Sequence, residues 1–343
     1  MNIAFGARHA APHALTTRGA FEWWYVDALD AQGEWGIVVI VFDGSPMAPD
    51  YVRAIRTNNA GPQEFPALFC AVYNKGVRRF AAYQLLAPGS LLARGDAASL
   101  EVTAGDLALT LDFARGTGRI RGALASKLGF RRVELDLAIE RVTGCADRAE
   151  ILTLEDSTHT WNPIWPAARV HGRLALDGTA HTLKADGYVD HNFSAHPLHE
   201  EAHPWYWGRA RAGDRTLVWY TWGAAADQAF VGEWRGDDIL GYASDVDVQS
   251  SDWHRIAMGL RYAGRLDLSW GSCLLRVEHR RIIDYGPFYL RFLATLRDEH
   301  GAEHAAVAEY MHPRRVAAHF FHVFVNMRVD RSRRRAALRT GRR

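Results

Sequence analysis

The sequence predicts an all-β fold arranged as two consecutive barrel- or sandwich-like domains. Short runs of alternating apolar and polar residues recur along the chain, separated by turns that carry Gly or Asp, the punctuation of antiparallel strands. No long stretch repeats its apolar residues at helical spacing, which argues against a parallel α/β sheet. A chain of 343 residues also exceeds one ordinary core, so two strand series of similar length form the natural partition.

In chain order, residues 21–28 (FEWWYVDA) and 35–42 (WGIVVIVF) flank the short turn LDAQGE and predict a hairpin. Strand-like runs follow at 51–57, 67–73, 78–86, 107–113, 119–124 and 131–141, where Val133, Leu135, Leu137 and Ile139 mark one buried face. Residues 162–166 (NPIWP) break regular structure twice. The domain junction is placed there, giving a first domain over 1–165 and a second over 166–327. The second series opens with strands at 168–176 and 180–190 around Asp177-Gly178, the strongest hairpin signal in the chain. It continues at 205–212, 216–222, 229–234, 255–262, 273–284, 289–296 and 305–311. Residues 316–325 (VAAHFFHVFV) are the best helix candidate, and the Arg-rich residues 328–343 are expected to be a disordered tail.

Composition narrows the function classes. Twelve tryptophans suit a cavity or interface that needs broad, rigid apolar walls. No apolar run reaches 18 residues, which excludes a membrane-spanning helix, and the N-terminal MNIAFGARHAAPHAL makes a poor secretion signal. Cys70, Cys145 and Cys273 are odd in number and widely spaced, so neither a disulfide framework nor a zinc ribbon follows. A reducing cytoplasm is the expected compartment. Eight arginines and one aspartate give the tail +7, leaving −5 on the rest of a chain whose net charge is +2. Such a tail suits anionic lipid at the inner membrane face; no nucleic-acid module accompanies it, so no nucleic-acid partner is expected.

The chemistry-bearing residues gather in two segments. Tyr188 and Asp190 are two residues apart in DGYVDHNF, so a strand would present both on one face. His159 and Trp161 share that spacing in STHTWNPIWP. If the segments run side by side, carboxyl, phenol, imidazole and indole converge. FEWWYVDA, GYVDHNF followed by PL and WYWGRA, and AEYMHPRRV resemble the carotenoid 1,2-hydratase family. That family sits in a wider group of double-lipocalin-like proteins with kievitone hydratase and fungal Diels–Alderases. The similarity runs in order from about residue 21 to about residue 317. It implies two lipocalin-like domains and a catalytic set of His-x-Trp and Tyr-x-Asp, falling here on His159, Trp161, Tyr188 and Asp190. The chain departs from the family at Ser194, where the family residue is Gly.

Hydrating a trisubstituted prenyl alkene requires an acid that protonates carbon, a wall that tolerates the tertiary cation, and one positioned water. Asp190 is the candidate acid. A free Asp has a pKa of about 3.9 and must rise by roughly three pH units, about 4 kcal/mol, to stay protonated at neutrality. Burial among aromatics achieves such a rise. Tyr188 would exchange hydrogen bonds with the acid, Trp161 would set its π face under the cation, and His159 would take the proton of the attacking water. Trp24, Trp205, Trp207 and Phe193 are the candidate substrate-binding aromatics. Glu22 and Asp27 are read as structural. No cofactor and no metal is required.

One motif competes. His199-Glu200-Glu201-Ala202-His203 fits the zinc-peptidase pattern H-E-x-x-H, but Pro197 and Pro204 leave room for less than two helical turns. With His191 and His196 nearby, it suits adventitious Zn²⁺ or Ni²⁺ better than a catalytic zinc. Three function classes remain open: an isoprenoid hydratase, a pericyclic or cyclisation catalyst of the same fold, and a non-enzymatic carrier of apolar ligands.

Overall fold

The computed structural model describes residues 1–30, 33–57, 60–144, 151–154, 159–201, 203–223, 225–236 and 238–340. Part of the LDAQGE turn, Cys145, Arg342 and Arg343 lie outside the described residues. The fold is all-β, as expected: a curled 14-stranded sheet and a closed eight-stranded barrel, with a few short helices. In the centre of the sheet, the strands Trp35–Asp43, Phe21–Leu29, Thr179–Ser194 and Thr160–Leu176 lie side by side, each antiparallel to the next. The barrel begins at Trp205–Ala212 and closes where Glu303–Met311 pairs back onto that strand.

Strand alternation assigns every second residue to a different core. Curling of the sheet encloses Trp24, Val26, Ile37, Leu137 and Trp165. The opposite face carries Trp23, Tyr25, Trp161 and Tyr188, which meet Trp205, Trp207, Val218 and Tyr220 of the barrel's outer wall. The barrel's own interior is filled by residues such as Tyr206, Trp219, Leu266 and Phe292. The cleft that matters therefore lies between the two β units, not inside either of them.

Four expectations are corrected. The junction at 165/166 falls inside the Thr160–Leu176 strand, whose register shifts between Asn162 and Trp165 and again between Trp165 and Ala168. Pro163 and Pro166 sit in these irregularities, where the ladder demands no N–H. The next hairpin, through Asp177 (φ 52) and Gly178 (φ 85), belongs to the same sheet. By sheet membership we propose the division between Ser194 and Trp205. Residues 51–57, expected as a strand, lie in the helix Pro49–Thr57, which buries Tyr51, Val52 and Ile55 on one side. Residues 255–262 cross the tip of a hairpin between the strands Asp238–Arg255 and Arg261–Trp270.

The fourth correction concerns the tail. Val329–Asp330 pairs in parallel with the Val77–Leu85 strand, and a helix follows over Ser332–Thr340. Arg331 holds Asp50 at 2.5 Å, Arg333 pairs with Asp106, and Arg334 donates to the Glu64 carbonyl while lying 4.5 Å over the Phe65 ring. These arginines tie the chain end to the first sheet. The expected helix at 316–325 is present but divided, as a 3₁₀ turn at Pro313–Ala317 and an α-helix at His319–Asn326. Among the described residues, no helix is long and apolar enough to cross a membrane.

Candidate active site

The two segments singled out by spacing do lie side by side. Trp161 pairs with Asn192 across the Thr160–Leu176 and Thr179–Ser194 strands, and Asp190 pairs with Tyr25 on the other side. Tyr188, Asp190 and Asn192 share a face because they alternate along one strand. Trp161 Nε1 donates to Asp190 Oδ2 at 3.1 Å and to Tyr188 OH at 3.0 Å, and Tyr188 OH donates to the same Oδ2 at 3.1 Å. Asn192 Nδ2 donates to Asp190 Oδ1 at 3.0 Å. His159 reaches the acid through this amide, its Nε2 lying 3.2 Å from Asn192 Oδ1. The four expected catalytic residues thus form one network, completed by Asn192.

Asp190 is only 6% exposed. Burial pushes its pKa well above the ordinary carboxylate value; the donors Trp161 and Tyr188 pull the other way, and the nearby charges of Glu309 and Asp27 push up again. Burial prevails, because an isolated carboxylate in an apolar interior loses more hydration than a few neutral donors replace. Tyr188 is likewise raised by burial and by Asp190 beside it, so it stays a neutral phenol.

Asp190 opens into a small chamber of about 60 Å³ between the sheet and the barrel wall. Trp23, Tyr25, Trp161, Trp205, Trp207 and Tyr220 supply its aromatic walls. The chamber adjoins a far larger cavity of about 670 Å³, and Ile40, Phe42, Met47 and Tyr289 line both. The larger one continues past Phe69, Phe80, Leu128, Phe130, Phe324 and Met327. A long apolar molecule could lie in the outer cavity with one end at Asp190.

The four candidate substrate-binding aromatics lie in different places. Trp205 and Trp207 line the chamber. Trp24 does not: it points into the sheet's own core and stacks on His191 at 5.1 Å, and its neighbour Trp23 takes the chamber side. Phe193 stacks on His13 at 3.7 Å, also away from the chamber. Trp161 turns its N–H edge to the acid, so it acts first as a donor and only then as a wall.

Asp27 and Glu22 stand outside the chamber wall. Asp27 is fully buried and binds Arg209 and Arg291 of the barrel, each at 2.6 Å. Burial alone would raise its carboxyl, but those two guanidiniums hold it below the ordinary range. Arg291 also pairs with Glu309, which accepts from Tyr289 OH at 2.8 Å and Tyr25 OH at 3.0 Å. Glu309 does line the chamber, and burial raises its pKa in spite of Arg291. Sequence reasoning passed over Asn192 and Glu309, although DHN and AEYM were both in view.

On the back of the sheet, Glu22 Oε1 lies 2.9 Å from His13 Nδ1 and 2.8 Å from His191 Nε2. Burial would raise this carboxyl, yet the two imidazoles hold it low. These three residues bring donor atoms within 4.8 Å of one another and are the described group best able to hold a metal ion. They face away from Asp190 and here bond directly to each other. Among the described residues of the H-E-x-x-H stretch no such group is found, and its helical turn spans Leu198–Glu201.

The architecture is a lipocalin-like pair of β units with a buried carboxyl at the cleft between them. Residues 39–338 match the model of the carotenoid hydratase CrtC. The chain belongs to that family of hydratases. It is 25% identical to a hydroxyneurosporene dehydrogenase of Chlorobaculum tepidum over 98% of this chain and 94% of that one. It is 30% identical to an acyclic carotenoid 1,2-hydratase of Thiocapsa roseopersicina over 60% of this chain and 48% of that relative. Its fold is shared with an AttH candidate from Nitrosomonas europaea, with a TM-score of 0.62 at 14% identity over 89% of this chain and 95% of that one.

Proposed function

We propose that this enzyme adds water across an isoprenoid C=C bond near the end of an acyclic carotenoid or similar prenyl chain, with Asp190 as the acid. Family membership supports the hydratase class. One arrangement supports the mechanism: a buried carboxyl, its pKa pushed up by burial, in a small aromatic chamber beside a larger apolar cavity and surrounded by three hydrogen-bond donors. Burial loads the acid with its proton, and the donors stabilise the anion left after it is given up.

Asp190 transfers its proton to the less substituted alkene carbon. A C–H bond forms as the π bond breaks, and positive charge lands on the tertiary carbon. The surrounding indole and phenol rings stabilise that charge by about 2 kcal/mol or more per desolvated face. Trp161, Tyr188 and Asn192 meanwhile hold the new carboxylate. Water attacks the cation and gives a proton to His159. Asn192, bonded to both His159 and Asp190, links the base to the acid that must be reloaded. The net change is the addition of H and OH, so this route needs no redox partner or cofactor. The dehydrogenase name belongs to the Chlorobaculum tepidum protein; oxidation here would need an electron acceptor that this route does not use.

Incubation with an acyclic carotene in H₂¹⁸O tests the reading. A product heavier by one water, carrying the heavy oxygen, is expected. Asp190→Asn should lower turnover by about 10²–10⁴-fold while pigment binding is retained. A mass-neutral product would point to cyclisation, and bound but unaltered pigment to a carrier; either outcome defeats the proposal. A membrane contact through the tail is weakened, since Arg331, Arg333 and Arg334 are engaged with the first sheet.

A further inference from the structure

The cavity mouth carries apolar side chains that the fold leaves in solvent. Leu128 and Phe130, at the tip of the hairpin joining Thr117–Ala125 to Arg132–Thr143, are 71% and 81% exposed. Phe320, Val323 and Met327, on and just after the His319–Asn326 helix, are 61–73% exposed. The two elements are fastened together, since Lys127 Nζ donates to the Asn326 carbonyl at 2.5 Å. Both also line the outer cavity, through Leu128 and Phe130 on one side and Phe324 and Met327 on the other. Apolar side chains of both elements therefore flank the opening of the outer cavity.

Long cationic side chains stand among these groups. Arg79, Lys127 and Arg328 line the same opening. Among the described residues, neither Arg79 nor Lys127 has a carboxylate partner, whereas Arg131 is matched by Asp177 and Arg78 by Asp284. Protruding apolar tips beside the exposed cations Arg79, Lys127 and Arg328 complement an anionic lipid surface: the tips enter the acyl boundary and the cations meet the headgroups. A protein partner would need an apolar, acidic counterface; a bilayer supplies both properties at once.

We propose that the hairpin tip at 126–131 and the His319–Asn326 helix form a membrane-docking rim, seating the cavity mouth on anionic bilayer so that an apolar substrate enters without crossing water. The entry role rests on the hydratase reading; the docking itself does not.

Flotation of the purified full-length protein with vesicles tests it, using phosphatidylcholine alone or mixed with phosphatidylglycerol. The wild type is expected to float with the mixed vesicles, and less so at high salt. Phe320→Asp/Val323→Asp alters residues outside the cavity lining and should weaken flotation on the order of 10-fold or more. Its turnover of detergent-dispersed carotene should be unchanged. If that variant misfolds, amide-exchange protection of residues 126–131 on adding vesicles to the wild type gives the same answer. Equal flotation of wild type and variant would overturn the proposal. So would self-association through this face without vesicle binding, or loss of flotation only in Arg335→Gln/Arg339→Gln. Flotation needs no turnover, so a protein that docks yet does not hydrate carotene refutes the function and leaves the rim standing.

Discussion

At Asp190 two opposed influences set the chemistry. Burial pushes its pKa up, while the donors Trp161 and Tyr188 pull it down, and Asn192 also donates to the carboxyl. A carboxyl whose folded-state pKa is raised makes the folded protein bind more protons than the unfolded chain between the two pKa values. Its contribution to stability is thus fully present below the ordinary Asp value of 3.8 and declines as pH rises through the folded value. Asp190→Asn should remove this dependence, so thermal unfolding should show the variant gaining on the wild type as pH increases; a variant that loses ground to the wild type as pH increases would contradict the raised pKa. Tyr188→Phe removes one donor to the anion and should slow turnover by about 10-fold, since a hydrogen bond to a charged group is worth roughly 1.5–3 kcal/mol; steady-state kinetics on the refolded variant would show it. The pair spacing made Asp190, Tyr188, His159 and Trp161 legible in the sequence. One further step of the same alternation would have added Asn192. Trp24 was misplaced for a physical reason: Phe21–Leu29 is buried on both faces almost throughout, so alternation of polarity could not show which tryptophan faces the chamber.

Among the elements, the Asp27 cluster fastens sheet to barrel. A carboxylate from Phe21–Leu29 receives guanidiniums from Trp205–Ala212 and Tyr289–Arg297. Removing one partner of such a buried group strands the others without water. Asp27→Asn should therefore cost about 3–5 kcal/mol, read by denaturant unfolding. Because Asp27 is held below the ordinary range, its stabilisation should be present above the unfolded-state pKa and fade as pH falls through the folded one. Most strands were legible because period-2 patterns and Gly or Asp turns are local signals. The Thr160–Leu176 strand was not, because two prolines normally end a strand and only the partner's register shows the bulges that admit them. The helix Pro49–Thr57 was also missed; Tyr51, Val52 and Ile55 fit a helical face as readily as a short strand, and length alone could not decide.

The molecule as a whole works by apposing two β units whose interiors are already full, which leaves their outer faces to shape the site. The far partner of that interface includes Tyr289 and Glu309, which lie 99 and 119 residues beyond Asp190, a distance that no local pattern spans. The chain end likewise read as a solvated run of charge, because Asp50, Asp106 and Glu64, which receive its arginines, are remote in sequence. Deleting residues 328–343 should lower Tm by about 4 °C or more as the Val329–Asp330 pairing and these contacts are lost; an unchanged Tm would restore the picture of a loose tail. The proposed chemistry turns on a protonated acid beside an aromatic chamber. Infrared difference spectra of wild type against Asp190→Asn at neutral pH measure that state directly. The structure predicts a protonated carboxyl C=O band that disappears in the variant; loss of a carboxylate band instead would contradict it.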